Sequence, residues 1–503
     1  MTGIVGIFFV KEHLNLSAEF LAALGFWAGI PWALKMPLGH LVDLLWKFRS
    51  ALVVLGATLI AMSLLIMSEL IQSPSQMSAY MSVGSWYVLS TILAPIGYVL
   101  QDAVADAMTT EAVPRIDSES GQPLPSHEIR SMHVTMQTLG RIAFVGGTIL
   151  VALINLWVFS GSAQWSPDEK ISQYRNVYLY ALCIPIASVT GLILAWWFKE
   201  QQIKKLTMLG YAHETAKQLA GPSVDEAKPN TWLLFGSFLF VIFTVSIGLS
   251  DLTYGQEIIF VGSMLIVIFL MVRLMSSLEV EARQYLIGTA FVIFLYRATP
   301  GPGPGVNWWS IDVLGFDQSF FSVLSLIGGI LSLIGMLALR AQIAKYSVTQ
   351  LTIWLCFAGT VLSLPQLAMS YGFHEWTAAH TQGLVDARFI AVIDTALESP
   401  LGQIAMIPLL TWIAQSAPSD LKATYFAVMT SFANLALSAS QLMTKYMNQI
   451  FVISREIKDS AGFVLTPSNY GELSHLLIFT MTLGLLMPIT GVVLVKMMRL
   501  KSA

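Results

Sequence analysis

The sequence predicts an all-α polytopic membrane protein, and three observations predict it. Hydrophobic residues make up 55% of the 503 residues and charged residues only 11%, where an ordinary soluble domain carries roughly 25% charge. Apolar runs near the ~20 residues needed to cross hydrocarbon recur along the whole chain. Lys and Arg gather in alternate loops between those runs.

The runs lie at about 17–37, 50–71, 78–108, 131–159, 176–198, 231–251, 256–275, 283–299, 319–340, 347–371, 386–413, 422–450 and 473–497. Residues 1–10 are half a span. They are expected to be the end of a first helix that begins upstream, or a half-helix that does not cross. If that segment runs outward, seventeen of the 27 Lys and Arg fall on the cytoplasmic side and five on the outer side. This asymmetry expects both termini in the cytoplasm. The net charge of −3 gives no footprint for nucleic acid. Cys183 and Cys356 both sit in apolar runs and are expected to be packing residues rather than ligands. No phosphate loop, His-Glu-x-x-His or paired-cysteine pattern occurs, so neither enzyme chemistry nor an ATP-driven pump is expected. No cofactor and no metal are expected either.

The longest polar stretch, 199–230, contains Lys204-Lys205 and Gly221-Pro222. It divides an N-terminal transmembrane half, 1–198, from two additional helices at 231–275 and a C-terminal half at 276–503. Two six-helix halves around a central path, the first helix short, resemble the layout of major facilitator transporters. The two extra helices are expected to pack outside that core.

Charges inside such spans are expensive and usually functional. Asp102 and Asp106 are four residues apart, so they share a helix face. Asp394 and Glu398 repeat the spacing in the fourth span of the other half. These four are the candidates for proton coupling, since burial raises a carboxyl pKa. Helix ends in headgroup water are the alternative for Asp106 and Glu111. Lys35 follows Pro31-Trp32, Arg141 lies in the fifth span and Arg297 ends a later one. Each can meet a buried carboxylate or an anionic solute. Lys445 and Arg388 are expected to snorkel to the outer interface. Trp27, Trp32, Trp308, Trp309 and Trp354 suit either an interfacial belt or stacking on a flat ring. The Pro/Gly run 300–305 cannot be regular helix and is expected to be an outer loop or gate edge. Gly39, Asp43, Lys47 and Arg49 form a Gly-x-x-x-Asp-plus-basic pattern in the loop after the second span.

Four stretches together resemble the folate–biopterin transporter family of the major facilitators. They are Pro31-Trp32-Ala33-Leu34-Lys35 ahead of Gly39 and Asp43; Asp102, Asp106 and Glu111; Arg297-Ala298-Thr299-Pro300 with Leu314-Gly315-Phe316; and Pro408, Pro418, Ala423-Thr424 and Ser431-Phe432-Ala433-Asn434. The chain departs from the family in Leu44-Leu45-Trp46 after Asp43 and in the Pro/Gly run. The resemblance implies a folate- or pterin-like solute; secondary active, proton-coupled uptake by alternating access is expected, by a monomer in a bacterial plasma membrane. Lys35, Arg141, Arg297 and Trp32 are the residues expected to meet that solute. A muropeptide or nucleoside-like metabolite is the alternative cargo, and a transporter-like receptor or scaffold is the alternative role.

Overall fold

The computed structural model describes residues 2–14, 16–33, 35, 42, 45, 48–111, 125–219, 231–248, 250, 252–275, 279–343, 347–402, 422–458 and 464–500. These are nearly all helical. Hydrocarbon offers no water to unpaired N–H and C=O groups, so a spanning chain must satisfy them within itself.

In the division expected from the sequence, the N-terminal half contains α1 (Thr2–His13), α2 (Ala18–Ala33), α3 (Arg49–Gln72), the short α4 (Pro74–Ser78), α5 (Val83–Glu111), α6 (Ser126–Val158), α7 (Pro167–Ala181) and α8 (Cys183–Met208), which runs ten residues past the expected limit at 198, with α9 (His213–Leu219) inside the expected linker. The extra pair is α10 (Thr231–Gly248) and α11 (Gly255–Met275). The C-terminal half contains α12 (Val280–Arg297), α13 (Gly305–Asp312), α14 (Gln318–Ile343), α15 (Val348–Leu362), α16 (Leu364–Ser370), α17 (Phe373–His380), α18 (Ala387–Gly402), α19 (Lys422–Ile450) and α20 (Leu473–Met497). Seven helical stretches among the described residues are long and apolar enough to cross a membrane. One of these, Asp168–Met208, joins α7 and α8. We call the side where α8 ends and α10 begins the linker face.

Two features differ from the sequence expectation. The stretch after the Pro/Gly break is partly helical, as α13, and its Trp308 and Trp309 are buried rather than interfacial. Val306 and Trp309 pack with Ile390 of α18 and Leu473 and Leu476 of α20. Packing within the C-terminal half therefore takes the Trp309 indole, while Trp308 lies under the Arg455 guanidinium. A small antiparallel ribbon, β1 (Ile457–Lys458) and β2 (Val464–Thr466), also interrupts the all-α pattern in the loop before α20.

Residues 2–10 are as apolar as expected, and α1 buries Val5, Phe8 and Phe9. They pack against Ile60, Leu64 and Met67 of α3 and Tyr174 and Val177 of α7.

Apolar helices have little hydrophobic reason to associate within lipid, so close backbone approach through small residues supplies the packing. Gly56 and Gly97 bring α3 against α5. A Cβ on Gly97 would sit 2.6 Å from the Gly56 carbonyl oxygen and 2.7 Å from Ile60. The two halves meet along two seams. In one, Gly25 and Gly29 of α2 face Gln441 and Ser438 of α19. In the other, Gly329 of α14 faces Ile149 of α6.

Gly97→Ala places its methyl against backbone, which cannot rotate away. It is expected to cost about 1–3 kcal/mol, read as a lower unfolding midpoint in detergent. Gly147→Ala, where no atom lies within 4 Å of the new Cβ, serves as the control and should not move the midpoint.

Candidate functional site

The clearest charged contact within the bundle joins α2 to α5. Pro31 lies inside α2, and Lys35 follows two residues beyond the helix as described. Its Nζ donates to Asp102 Oδ2 at 2.6 Å. The neighbouring Gln101 fixes how α5 presents Asp102. Its Nε2 donates to the Val53 carbonyl of α3 at 3.1 Å, and its Oε1 accepts from Ser188 of α8 at 3.3 Å. Lys35 is 15% exposed and Asp102 40%, so the lysine is enclosed while solvent still reaches the carboxylate. The amide nitrogen of Asn434 on α19 donates to the Trp32 carbonyl at 2.9 Å. That bond ties the same stretch of α2 to the other half.

In the C-terminal half, Arg297 stands where α12 breaks. Its Nε donates to the Ala433 carbonyl of α19 at 3.1 Å. The non-helical residues beyond it are bonded to α19 as well. Ser440 Oγ donates to Thr299 O at 2.6 Å, Gly301 N donates to Thr444 Oγ1 at 3.1 Å, and Asn448 Nδ2 donates to Pro302 O at 3.3 Å. On α18, Asp394 is half-buried, and its Oδ1 is a buried acceptor without a hydrogen bond among the described residues. Glu398, one turn on, is exposed. This pair therefore shares a helix face but not an environment.

On the face away from the linker, side chains of the two halves meet directly. Gln318 Nε2 of α14 donates to Tyr174 Oη of α7 at 2.6 Å, and Phe8 and Phe321 stack edge to face at 5.7 Å. Arg455 is only 3% exposed. It donates to the Val10 carbonyl of α1 and lies 5.3 Å over the Trp308 ring. Tyr470 donates to Asp312 beside it. Burial holds the Arg455 guanidinium down to about 10, against the opposing pull of Tyr470 and Asp312. Burial, and then the bond to Asp312, raises the Tyr470 hydroxyl. Arg455 is among the five Lys and Arg expected on the outer side, and nothing in the local sequence marks it as buried.

The structure pairs Lys35 with Asp102, and the Trp32 carbonyl, three residues before Lys35, meets α19, while Arg297 meets α19 from the opposite half. Asp106 and Glu111 fall on α5 and Arg141 on α6, but their side chains are outside the described set. Gly39, Asp43 and Lys47, with Pro408 and Pro418, also lie outside the described residues. Arg49 opens α3. Lys445 corrects its expectation. It has a protein partner: its Nζ donates to Glu257 Oε1 of α11 at 3.1 Å. The carboxylate that holds it lies 188 residues away in sequence, so no local pattern announces the pair. Among the described residues no group of three His, Cys, Asp or Glu side chains is placed to hold a metal. A recess of about 390 Å³ lined by Leu16, Phe20, Ser82, Gly84, Ser85 and Val88 lies at the far ends of α2 and α5. Its lining carries no charge.

The model of the BT1 family matches residues 3–502. The chain belongs to the BT1 family. A folate-biopterin transporter of Synechocystis sp. is 26% identical over 157 residues, which cover 31% of this chain and 30% of that relative. The match thus spans under a third of the relative's length. Among solved structures, the peptide transporter POT in complex with sulfate aligns with a TM-score of 0.56 at 14% identity, covering 98% of this chain and 90% of that one. A mutant of the nucleoside transporter NupG aligns at 0.52 and 12% identity, covering 98% and 94%. A D-xylose-proton symporter aligns at 0.51 and 14%, covering 97% and 92%. These likenesses establish the major facilitator fold. This BT1 chain is an integral membrane protein with that fold.

The Lys35–Asp102 pair lies between the exposed and the buried regimes of ion pairing. A double-mutant cycle with Lys35→Ala and Asp102→Ala, read from thermal unfolding in detergent, is expected to give a coupling of about 1 kcal/mol or more. Additive losses would mean the two groups do not stabilise each other.

Proposed function

We propose that this chain is a secondary active transporter of folate- or pterin-like solutes, driven by protons and working by alternating access. The observation that carries the reading is the Lys35–Asp102 ion pair, a protonatable carboxylate holding a cation between two spans. A proton arriving at Asp102 neutralises the carboxylate and releases the Lys35 ammonium. The freed ammonium then attracts an anionic solute, such as the glutamate tail of a folate. Departure of the solute and proton restores the pair. Arg297, at the break of α12, supplies a second cation near α19 for the solute. The half-buried Asp394, with its unbonded Oδ1, is a second proton acceptor, and Glu398 extends that acidic face.

Membership of the BT1 family and the partial match to a folate-biopterin transporter support the cargo class. The Lys/Arg asymmetry supports cytoplasmic termini, with the linker face inside and the Arg455 loop outside. The apolar, disulfide-free composition suits a bacterial plasma membrane, with the monomer as the working unit.

Purified protein in proteoliposomes is expected to accumulate labelled folate when an inward proton gradient is imposed, and to stop when a protonophore is added. Uptake that ignores the protonophore would end the proton-coupling reading. Asp102→Asn removes the proposed proton acceptor, so it is expected to permit exchange of folate across the membrane while abolishing gradient-driven accumulation. Lys35→Ala is expected to raise KM more than it lowers kcat. A thermal-shift series with pterins, folates, nucleosides and muropeptides checks the cargo by mass action. Stabilisation by nucleosides or muropeptides alone would replace the folate assignment.

A further inference from the structure

The extra helix pair does not stand clear of the core. It sits across the seam where α2 of one half meets α19 of the other. Phe26 and Ile30 of α2, Ile259 of α11 and Leu442 of α19 form one buried cluster. Trp27 packs against Gly248 at the end of α10, where an added Cβ would lie 3.2 Å from the indole. Next to Ile259, two polar residues reach in different directions. Gln256 Nε2 donates to the Ala23 carbonyl of α2 at 3.2 Å. Glu257 Oε1 accepts from Lys445 Nζ of α19 at 3.1 Å and from the Tyr446 hydroxyl. Its other oxygen is buried and lacks a hydrogen bond among the described residues. Glu257 and Lys445 are only 22% and 15% exposed, so water screens the pair weakly.

We infer that α11 is a clasp holding the seam shut on the face away from the linker. Glu257 anchors the clasp to α19, and Gln256 with the apolar face of α11 reaches across to α2. This rests on the alternating-access reading, in which α2 and α19 must separate on that face. When they do, α11 cannot keep both sets of contacts. It stays with α19, through the ion pair and Tyr446, and gives up Ala23, Phe26 and Ile30. The strength of that grip sets how often the carrier opens on this face. Glu257 and Gln256 are positioning residues and touch no solute.

The test is a distance measurement across that face. Spin labels go on Tyr80→Cys and Leu384→Cys, both exposed in loops of opposite halves, in a Cys183→Ser/Cys356→Ser background. Wild type is expected to favour the short distance, with a minor longer one. Glu257→Gln and Gln256→Ala are each expected to raise the longer population about five-fold or more, the usual lower range for coupling between sites. The exchange Glu257→Lys with Lys445→Glu is expected to return it toward wild type. Gln256→Ala leaves the ion pair intact, so it remains informative if the charge variants fold poorly. If wild type shows both distances and neither single variant alters their ratio, the clasp is wrong and alternating access stands. A single distance in every variant, with and without folate, overturns both.

Discussion

Between Ala298 and Pro304 the chain leaves helical geometry inside a membrane protein, and every freed N–H and C=O there needs a protein partner. Helix α19 partners three of them. Ser440, Thr444 and Asn448 recur every four residues, so they form one polar stripe that meets Thr299, Gly301 and Pro302. A second stripe, Asn434, Ser438, Gln441 and Lys445, is turned toward α2 and α11. A single helix thus supports the break that presents Arg297, forms the main seam between halves and holds the extra pair. Loss of either stripe would leave unpaired polar groups at a cost of roughly 1–3 kcal/mol each.

This arrangement separates two jobs. The N-terminal half keeps its enclosed lysine compensated, with Gln101 fixing α5 so that Asp102 reaches Lys35. The C-terminal half leaves a carboxylate oxygen of Asp394 unbonded. A buried acceptor without a partner is destabilising unless something uses it. Asp394 lies on α18, a helix that also packs against α14 through Ser399 and Ser332.

Much of the fold was legible because hydrocarbon imposes a strong length and polarity signal. The runs at 50–71, 422–450 and 473–497 became α3, α19 and α20 within a residue or two. Lys35 and Asp102 were each legible as charges too costly to be idle, but their partnership was not, since 67 residues separate them. The same limit hid Glu257 behind Lys445 and left Arg455 looking like a surface cation. Trp308 and Trp309 were misplaced for another reason. Belt and core positions use the same residue type, and only the packing of α13 on α18 and α20 distinguishes them.

The two inter-helix ion pairs, Lys35–Asp102 and Glu257–Lys445, have an electrical consequence. Moving one elementary charge through a membrane potential is worth about 2.3 kcal/mol per 100 mV. Each pair has zero net charge, so a rocking motion that carries either intact does almost no work against the voltage. A proton on Asp102 leaves one positive charge at Lys35, and a monoanionic group bound there cancels it again. With Asp102 alone protonated, voltage sensitivity would therefore come from the valence of the cargo rather than from these pairs, and a dianionic solute would feel the membrane potential where a monoanion would not; a second proton on Asp394 would reverse that order.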